Sequence, residues 1–182
     1  LHYQATETNI MIQTQLAKIF FALIIIALQV LIFNHVHIFG YATPLICVYI
    51  LLTFPLKMPK WSKLMWGFCI GTIQDAFANT PGIMAATLTF MALLQSPLLK
   101  ILGGQNDNDG DEMEVPSIKT LGTFSFLRYA AVAVFIQTLV FYLLMTFNFF
   151  DFVDTAINIV GSSVLSFLII WFIEGIRSNS KK

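Results

Sequence analysis

Six apolar runs, joined by short polar connections, account for most of this chain. They lie near 16–34, 42–56, 64–79, 82–99, 128–150 and 156–174, and the segments between them are rich in Asn, Pro, Gly and Lys. A helix needs roughly 20 apolar residues to cross a bilayer. The pattern therefore predicts an all-α, polytopic membrane protein with six transmembrane helices. The second and third runs are short for a full span, so we expect upright helices extended by flanking aromatic residues.

The lysines and arginines fall on alternate connections between these runs. All ten belong to four groups: Lys18; Lys57, Lys60 and Lys63; Lys100, Lys119 and Arg128; and Arg177, Lys181 and Lys182. The connections near 35–41, 80–81 and 150–155 contain no basic residue. Because basic connections stay on the cytoplasmic side of a membrane, both termini are predicted to be cytoplasmic. A missed or extra helix would destroy the alternation, so it supports the count of six independently of hydropathy.

The composition leaves little of the chain for a soluble domain. Hydrophobic residues make up 57% of the 182 residues and charged residues only 11%, which is outside the range of soluble globular proteins. The predicted organisation is a polar segment over 1–15, a membrane domain over 16–175 with an acidic cytoplasmic loop at 103–120, and a basic tail over 176–182. The formal net charge is zero. Membrane lipid is therefore the predicted surrounding, and nothing suggests a nucleic-acid partner.

The third run contains the most regular pattern, since Gly67, Gly71, Asp75 and Asn79 recur every four residues. Each step of four drifts by only about 40° around a helix, so these residues form a single stripe. Glycines spaced in this way let a second helix approach closely, and a carboxylate beside them needs a partner within the protein. We therefore expect the stripe to be buried against protein, in helix packing or partner contact.

Asp75 is the residue of this stripe that demands an explanation. It lies about 18 Å along the helix from Lys63, beyond the middle of a hydrocarbon core about 30 Å thick. A carboxylate near the membrane centre costs about 2.5–3.5 kcal/mol, so some benefit must compensate. One hypothesis is a hydrogen bond to neighbouring hydroxyls or to the start of the next helix, and the other is a proton or ion relay. No second acid or histidine lies deep in any predicted helix, which favours the structural hypothesis.

Thr80, Pro81 and Gly82 follow the stripe directly. A threonine suits the N-cap of a helix and a proline suits its first position. The sequence therefore predicts a tight outer turn in which Thr80 caps the fourth helix. Together with the stripe, this turn would form a helical hairpin from 64 to 99.

Two other clusters of polar residues suggest metal sites. The acidic loop at 103–120 does not fit a calcium loop, because with Gly110 at the sixth position of an EF-hand frame, Pro116 falls where a bidentate Glu is needed. We interpret this loop as a solvated linker. His35 and His37 would supply only two ligands, and no acid or thiol is near them in sequence. We interpret this pair as interfacial.

The remaining reactive residues give no reaction class. Cys47 and Cys69 lie inside apolar runs, where a thiol behaves as a small hydrophobic side chain. Glu174 and Arg177 are three residues apart and are expected to form a local pair of small energetic value. The sequence contains no Ser-His-Asp or Cys-His set, no phosphate-binding glycine loop and no zinc-protease motif. It therefore predicts a protein that is not an enzyme and has no cofactor or metal.

The order of these features also points to a family. The first helix runs into Thr43, Pro44 and Leu45 and a second apolar segment, and Gly67-x-x-x-Gly71-x-x-x-Asp75 follows, with Gly82 opening the fourth helix. In this order of helices, loops and termini, most of residues 15–175 resembles the rod-shape-determining protein MreD, and specifically its Bacteroidetes-like members. The glycine, aspartate, glycine pattern is the feature most typical of that family.

The resemblance implies a non-enzymatic subunit of the bacterial inner membrane that belongs to the cell-elongation machinery, or elongasome, and supports peptidoglycan synthesis and cell shape. The implied partners are the membrane-anchored protein MreC and, through it, the actin-like MreB, the glycosyltransferase RodA and a class B penicillin-binding protein. The implied fold is a six-helix domain similar to the substrate-binding subunits of energy-coupling-factor transporters. The acidic loop at 103–120 and the short second helix depart from the family pattern.

The alternative hypothesis is that the chain is the substrate-binding membrane subunit of a vitamin transporter. That family has small residues spaced by four on its first helix, where the coupling protein docks, whereas Ala17, Ala22 and Ala27 are five apart here. The outer connections are also short and poor in polar groups that could form a lid over a ligand. The sequence therefore favours the cell-shape function.

Overall fold

A computed structural model describes residues 24–27, 29, 45–55, 58–102, 116–146 and 152–179 of the chain. The helices in this part are α1 (Val48–Leu52), α2 (Lys60–Ala78), α3 (Ile83–Leu102), α4 (Ile118–Leu121), α5 (Thr123–Met145) and α6 (Phe152–Asn179). Residues 24–27 are also helical, and no strand occurs among the described residues, which confirms the all-α prediction. The polar segment 1–15, most of the first predicted helix, the acidic part of the 103–120 loop and residues 180–182 lie outside the described residues.

Three of the described helices are long and apolar enough to cross a membrane. These spans are Ile83–Leu102, Thr123–Met145 and Val153–Arg177. They belong to α3, α5 and α6, and they correspond to the fourth, fifth and sixth predicted helices. α2 corresponds to the third predicted helix.

The distribution of polar and apolar side chains fits a lipid surrounding. Large exposed hydrophobic residues include Trp61, Trp66 and Phe77 on α2 and Val153, Trp171 and Phe172 on α6. The buried residues include the polar side chains Gln29, Gln74, Gln95, Gln137, Ser162 and Ser166. So much apolar surface would drive association in water, whereas lipid solvates it. The protein is therefore embedded in a membrane.

The helices pack in sequence order around a buried centre. α2 and α3 form the predicted hairpin, α3 packs on α5, and α5 packs on α6. Hydrogen bonds between hydroxyls join α5 to α6, with Tyr142 Oη 2.9 Å from Ser162 Oγ and Thr138 Oγ1 2.5 Å from Ser163 Oγ. In lipid, small polar side chains of this kind hold helices together because the hydrophobic effect does not.

Two helix ends differ from the sequence prediction. α5 begins at Thr123, after Gly122 with a φ of 81°, so Arg128 lies within this helix and not in the connection before it. The Arg128 side chain donates to the carbonyl of Leu102 at 3.2 Å, which satisfies one of the unpaired carbonyls at the end of α3. α6 continues to Asn179, past the boundary at 175 predicted for the membrane domain.

The second predicted helix, 42–56, was wrong as a continuous span over its described part. Only Val48–Leu52 is α-helical there, and all residues from Leu45 to Leu52 are buried. Pro55 gives a physical reason for the early end, because the residue before a proline is driven out of the helical region. Thr53 contributes as well, since its hydroxyl bonds the carbonyls of Tyr49 and Ile50 at 3.1 and 3.0 Å.

The amino end of this segment lies within the protein. The Leu45 N–H donates to Ser166 Oγ and the Ile46 N–H to Gln29 Oε1, each at 2.8 Å. Ser166 stands near the centre of α6, roughly 20 Å from either end at 1.5 Å per residue. Since lipid offers no hydrogen bonds, backbone groups at this depth must be satisfied by protein. The two side chains meet that requirement.

Candidate functional site

The two glycines of the predicted stripe lie where α2 touches α3. A Cβ added to Gly71 would lie 2.6 Å from the Ala85 nitrogen and 2.7 Å from the Met84 oxygen, and one added to Gly67 would lie 2.9 Å from the Leu88 oxygen. These neighbours are backbone atoms, which cannot move aside as a flexible side chain could. The two helix backbones are therefore in direct contact, and only glycine fits at either position.

The carboxylate of Asp75 bridges α2 and α3 at the turn end of the hairpin. Its Oδ1 accepts from the Met84 N–H at 2.9 Å and from the Thr80 hydroxyl at 2.7 Å, and its Oδ2 accepts from the Ala85 N–H at 2.9 Å. Met84 and Ala85 belong to the first turn of α3, whose N–H groups have no partner within their own helix. Asp75 thus caps α3 from the neighbouring helix, and its negative charge lies at the positive end of that helix.

The residues after Asp75 form the turn and lie outside the buried stripe. Asn79 ends α2 with a left-handed φ of 54° and is exposed, so the prediction that it shares the buried face was wrong. The predicted stripe continued the four-residue spacing to Asn79, which lies just beyond the last residue of α2, Ala78. Pro81 and Gly82 are also exposed, and Gly82 has a φ of 79° with no atom within 4 Å of an added Cβ. Gly82 is required here by its backbone conformation and not by packing.

The predicted cap of α3 also differs from the structure. Thr80 was expected to be the N-cap and Pro81 the first helical residue, but α3 begins at Ile83. The carbonyl of Gly82 accepts from the Ala86 N–H at 3.0 Å, so Gly82 stands at the N-cap position. Because glycine has no side chain to cap the helix, the carboxylate of Asp75 takes that role.

These contacts favour the structural hypothesis for Asp75. Both carboxylate oxygens are occupied by three donors from the turn and from α3. Two of those donors are backbone N–H groups, which neither accept nor release a proton at ordinary pH. The geometry is that of a clamp which closes the α2–α3 hairpin at one end, while the glycines close it along its length.

Sequence reasoning missed a second polar centre at Glu174. Its side chain is 2% exposed, and it accepts from the Tyr49 hydroxyl of α1 and, at 3.2 Å, from the N–H of Ile118 at the start of α4. Arg177 lies 3.5 Å from the carboxylate and also donates to the Tyr49 hydroxyl at 3.1 Å. The expected pair with Arg177 is present, but the prediction of a merely local pair was wrong. Glu174 joins three segments of the fold.

One signal in the sequence could have indicated this centre. Ser166, Ile170 and Glu174 are spaced by four on α6, and all three are buried. A serine and a glutamate at this spacing share one helix face, and a carboxylate on a buried face must have partners. The partners themselves could not be named, because Tyr49 is 125 residues away.

Lys63 is a third polar residue whose environment the sequence did not reveal. It was assigned to a cytoplasmic connection, but it lies in α2, is 1% exposed, and donates to Ser96 Oγ of α3 at 3.2 Å. No carboxylate in the described residues forms an ion pair with it. The Lys63–Ser96 contact joins α2 to α3 at the end of the hairpin opposite Asp75.

Within the described ranges, no three His, Cys, Asp or Glu residues come together in a way that could hold a metal ion. His35, His37 and the acidic residues of the 103–120 loop lie outside those ranges. Cys47 is buried and Cys69 is exposed, and both are free thiols. Cys47 Sγ accepts from Gln74 Nε2 at 3.0 Å, so it contributes to packing between α1 and α2.

Comparison with known proteins identifies no relative of this chain. The chain matches no protein-family model, no curated protein and no solved structure. Its function must therefore be inferred from its own residues and their geometry.

Proposed function

We propose that this chain is a non-enzymatic subunit of the bacterial cell-elongation machinery, similar to MreD, which holds MreC and the peptidoglycan synthases together in the inner membrane. The observation that carries the proposal is the arrangement of Gly67, Gly71 and Asp75 on α2. The sequence pattern most typical of the family coincides with the contact that fixes the α2–α3 hairpin. A hairpin held by backbone contact and by a carboxylate clamp is rigid, as a scaffold for other membrane proteins needs to be.

The proposal includes six membrane crossings with both termini in the cytoplasm. Three contacts between helices support this topology, because they lie at helix ends that carry basic residues. Lys63 of α2 bonds Ser96 of α3, and Arg128 of α5 bonds Leu102 of α3. Glu174 of α6, which pairs with Arg177, accepts from the Ile118 N–H at the start of α4. The basic residues of α2, α5 and α6 thus belong to the same end of the bundle. In the proposed topology this end faces the cytoplasm, and the segment containing α1 belongs to the second crossing.

Cysteine labelling from outside the cell tests the topology. Single cysteines introduced at Asn34, Pro81 and Asp154 should react with a membrane-impermeant reagent, whereas those at Lys60 and Asn108 should react only after the membrane is opened. Labelling of position 108 from outside would contradict the six-crossing topology.

Copurification from mild detergent tests the function. The full chain with an affinity tag should bring down MreC and a class B penicillin-binding protein from its own cells. The Gly71→Leu variant should lose them, while Thr72→Leu, a change at an exposed position of the same helix, should retain them. Recovery of an ATPase pair with a shared coupling subunit, or of a bound vitamin, would instead support the transporter alternative and overturn the proposal.

A further inference from the structure

We draw no further inference here: the strongest candidate, the open apolar groove on the outer surface of the α2–α3 hairpin, lined by Leu64, Phe68 and Phe90, carries nothing because no feature of the described residues shows what covers it.

Discussion

Replacing Asp75 by leucine and by asparagine should distinguish a hairpin clamp from a proton relay. Leucine has the same branched shape, with two methyl groups in place of the carboxylate oxygens, but it accepts no hydrogen bond, so the N–H groups of Met84 and Ala85 lose their acceptor. Both residues are about 95% buried, at 4% and 5% exposure, and water cannot replace the carboxylate. An unsatisfied buried donor costs about 1–3 kcal/mol, which gives about 2–6 kcal/mol for the two. Leucine also removes the cost of burying a charge, about 2.5–3.5 kcal/mol at the membrane centre and less toward its edge.

We therefore expect Asp75→Leu to lower the free energy of unfolding by about 2 kcal/mol, and Asp75→Asn by about half as much because one acceptor oxygen remains. For a chain of this size, about 1 kcal/mol corresponds to a shift of about 2–4 °C in Tm. Thermal unfolding in mild detergent, followed by circular dichroism, measures both variants. Asp154→Leu is the control, since Asp154 is an exposed acid near the start of α6, and its Tm should not fall.

Cell shape and association with the proposed partner MreC, compared at matched membrane levels, then test the relay hypothesis. A structural clamp predicts that Asp75→Asn retains substantial function and that Asp75→Leu loses it. A proton relay predicts that both fail alike, because neither side chain titrates. A Tm for Asp75→Leu equal to that of the unmodified protein would refute the clamp. Complete loss of function in Asp75→Asn with an unchanged Tm would refute the structural hypothesis in favour of the relay.

Three further predictions concern other parts of the chain. Gly71→Leu should lower Tm by more than 5 °C or prevent folding, because its side chain would clash with backbone atoms of α3. Thr72→Leu, the control, should leave Tm unchanged. Similar Tm values for the two variants would argue against close contact between the helices. Glu174→Leu removes the acceptor of three donors, whereas Tyr49→Phe removes only one of those donors. Glu174→Leu should therefore lower Tm more than Tyr49→Phe does. The reverse order would mean that Glu174 is not the centre of this cluster. Deletion of 105–113 should preserve membrane insertion and MreC association, and loss of association in an inserted protein would indicate that the acidic loop binds a partner.

The glycine stripe could be predicted because the evidence for it is local. A spacing of four places Gly67, Gly71 and Asp75 on one face of any helix, whatever surrounds it. The cost of an unpaired carboxylate in lipid then limited the partners of Asp75 to a few possibilities, and the start of the next helix was among them. The pattern carried no information on where α2 ends, which is why Asn79 was wrongly assigned to the buried face.

The second predicted helix and Glu174 show what local evidence cannot supply. Hydropathy gives the same value for an apolar segment that crosses lipid and for one buried inside a bundle, so it could not reveal that α1 has only five helical residues. Glu174 lies close to Tyr49 and Ile118 only because the helices fold together. Its partners are 125 and 56 residues away, and a single sequence contains no sign of such pairings.

The hydrogen bond between Leu45 and Ser166 also constrains how the protein is made. The acceptor follows the donor by 121 residues, which take on the order of ten seconds to synthesise at about 5–20 residues per second. Throughout that interval the N–H of Leu45 has no Ser166 to bind, and hydrocarbon cannot substitute for it. The segment around α1 therefore cannot settle into its final place as it leaves the ribosome. It must be held in the insertion machinery or at the polar membrane surface until α6 arrives.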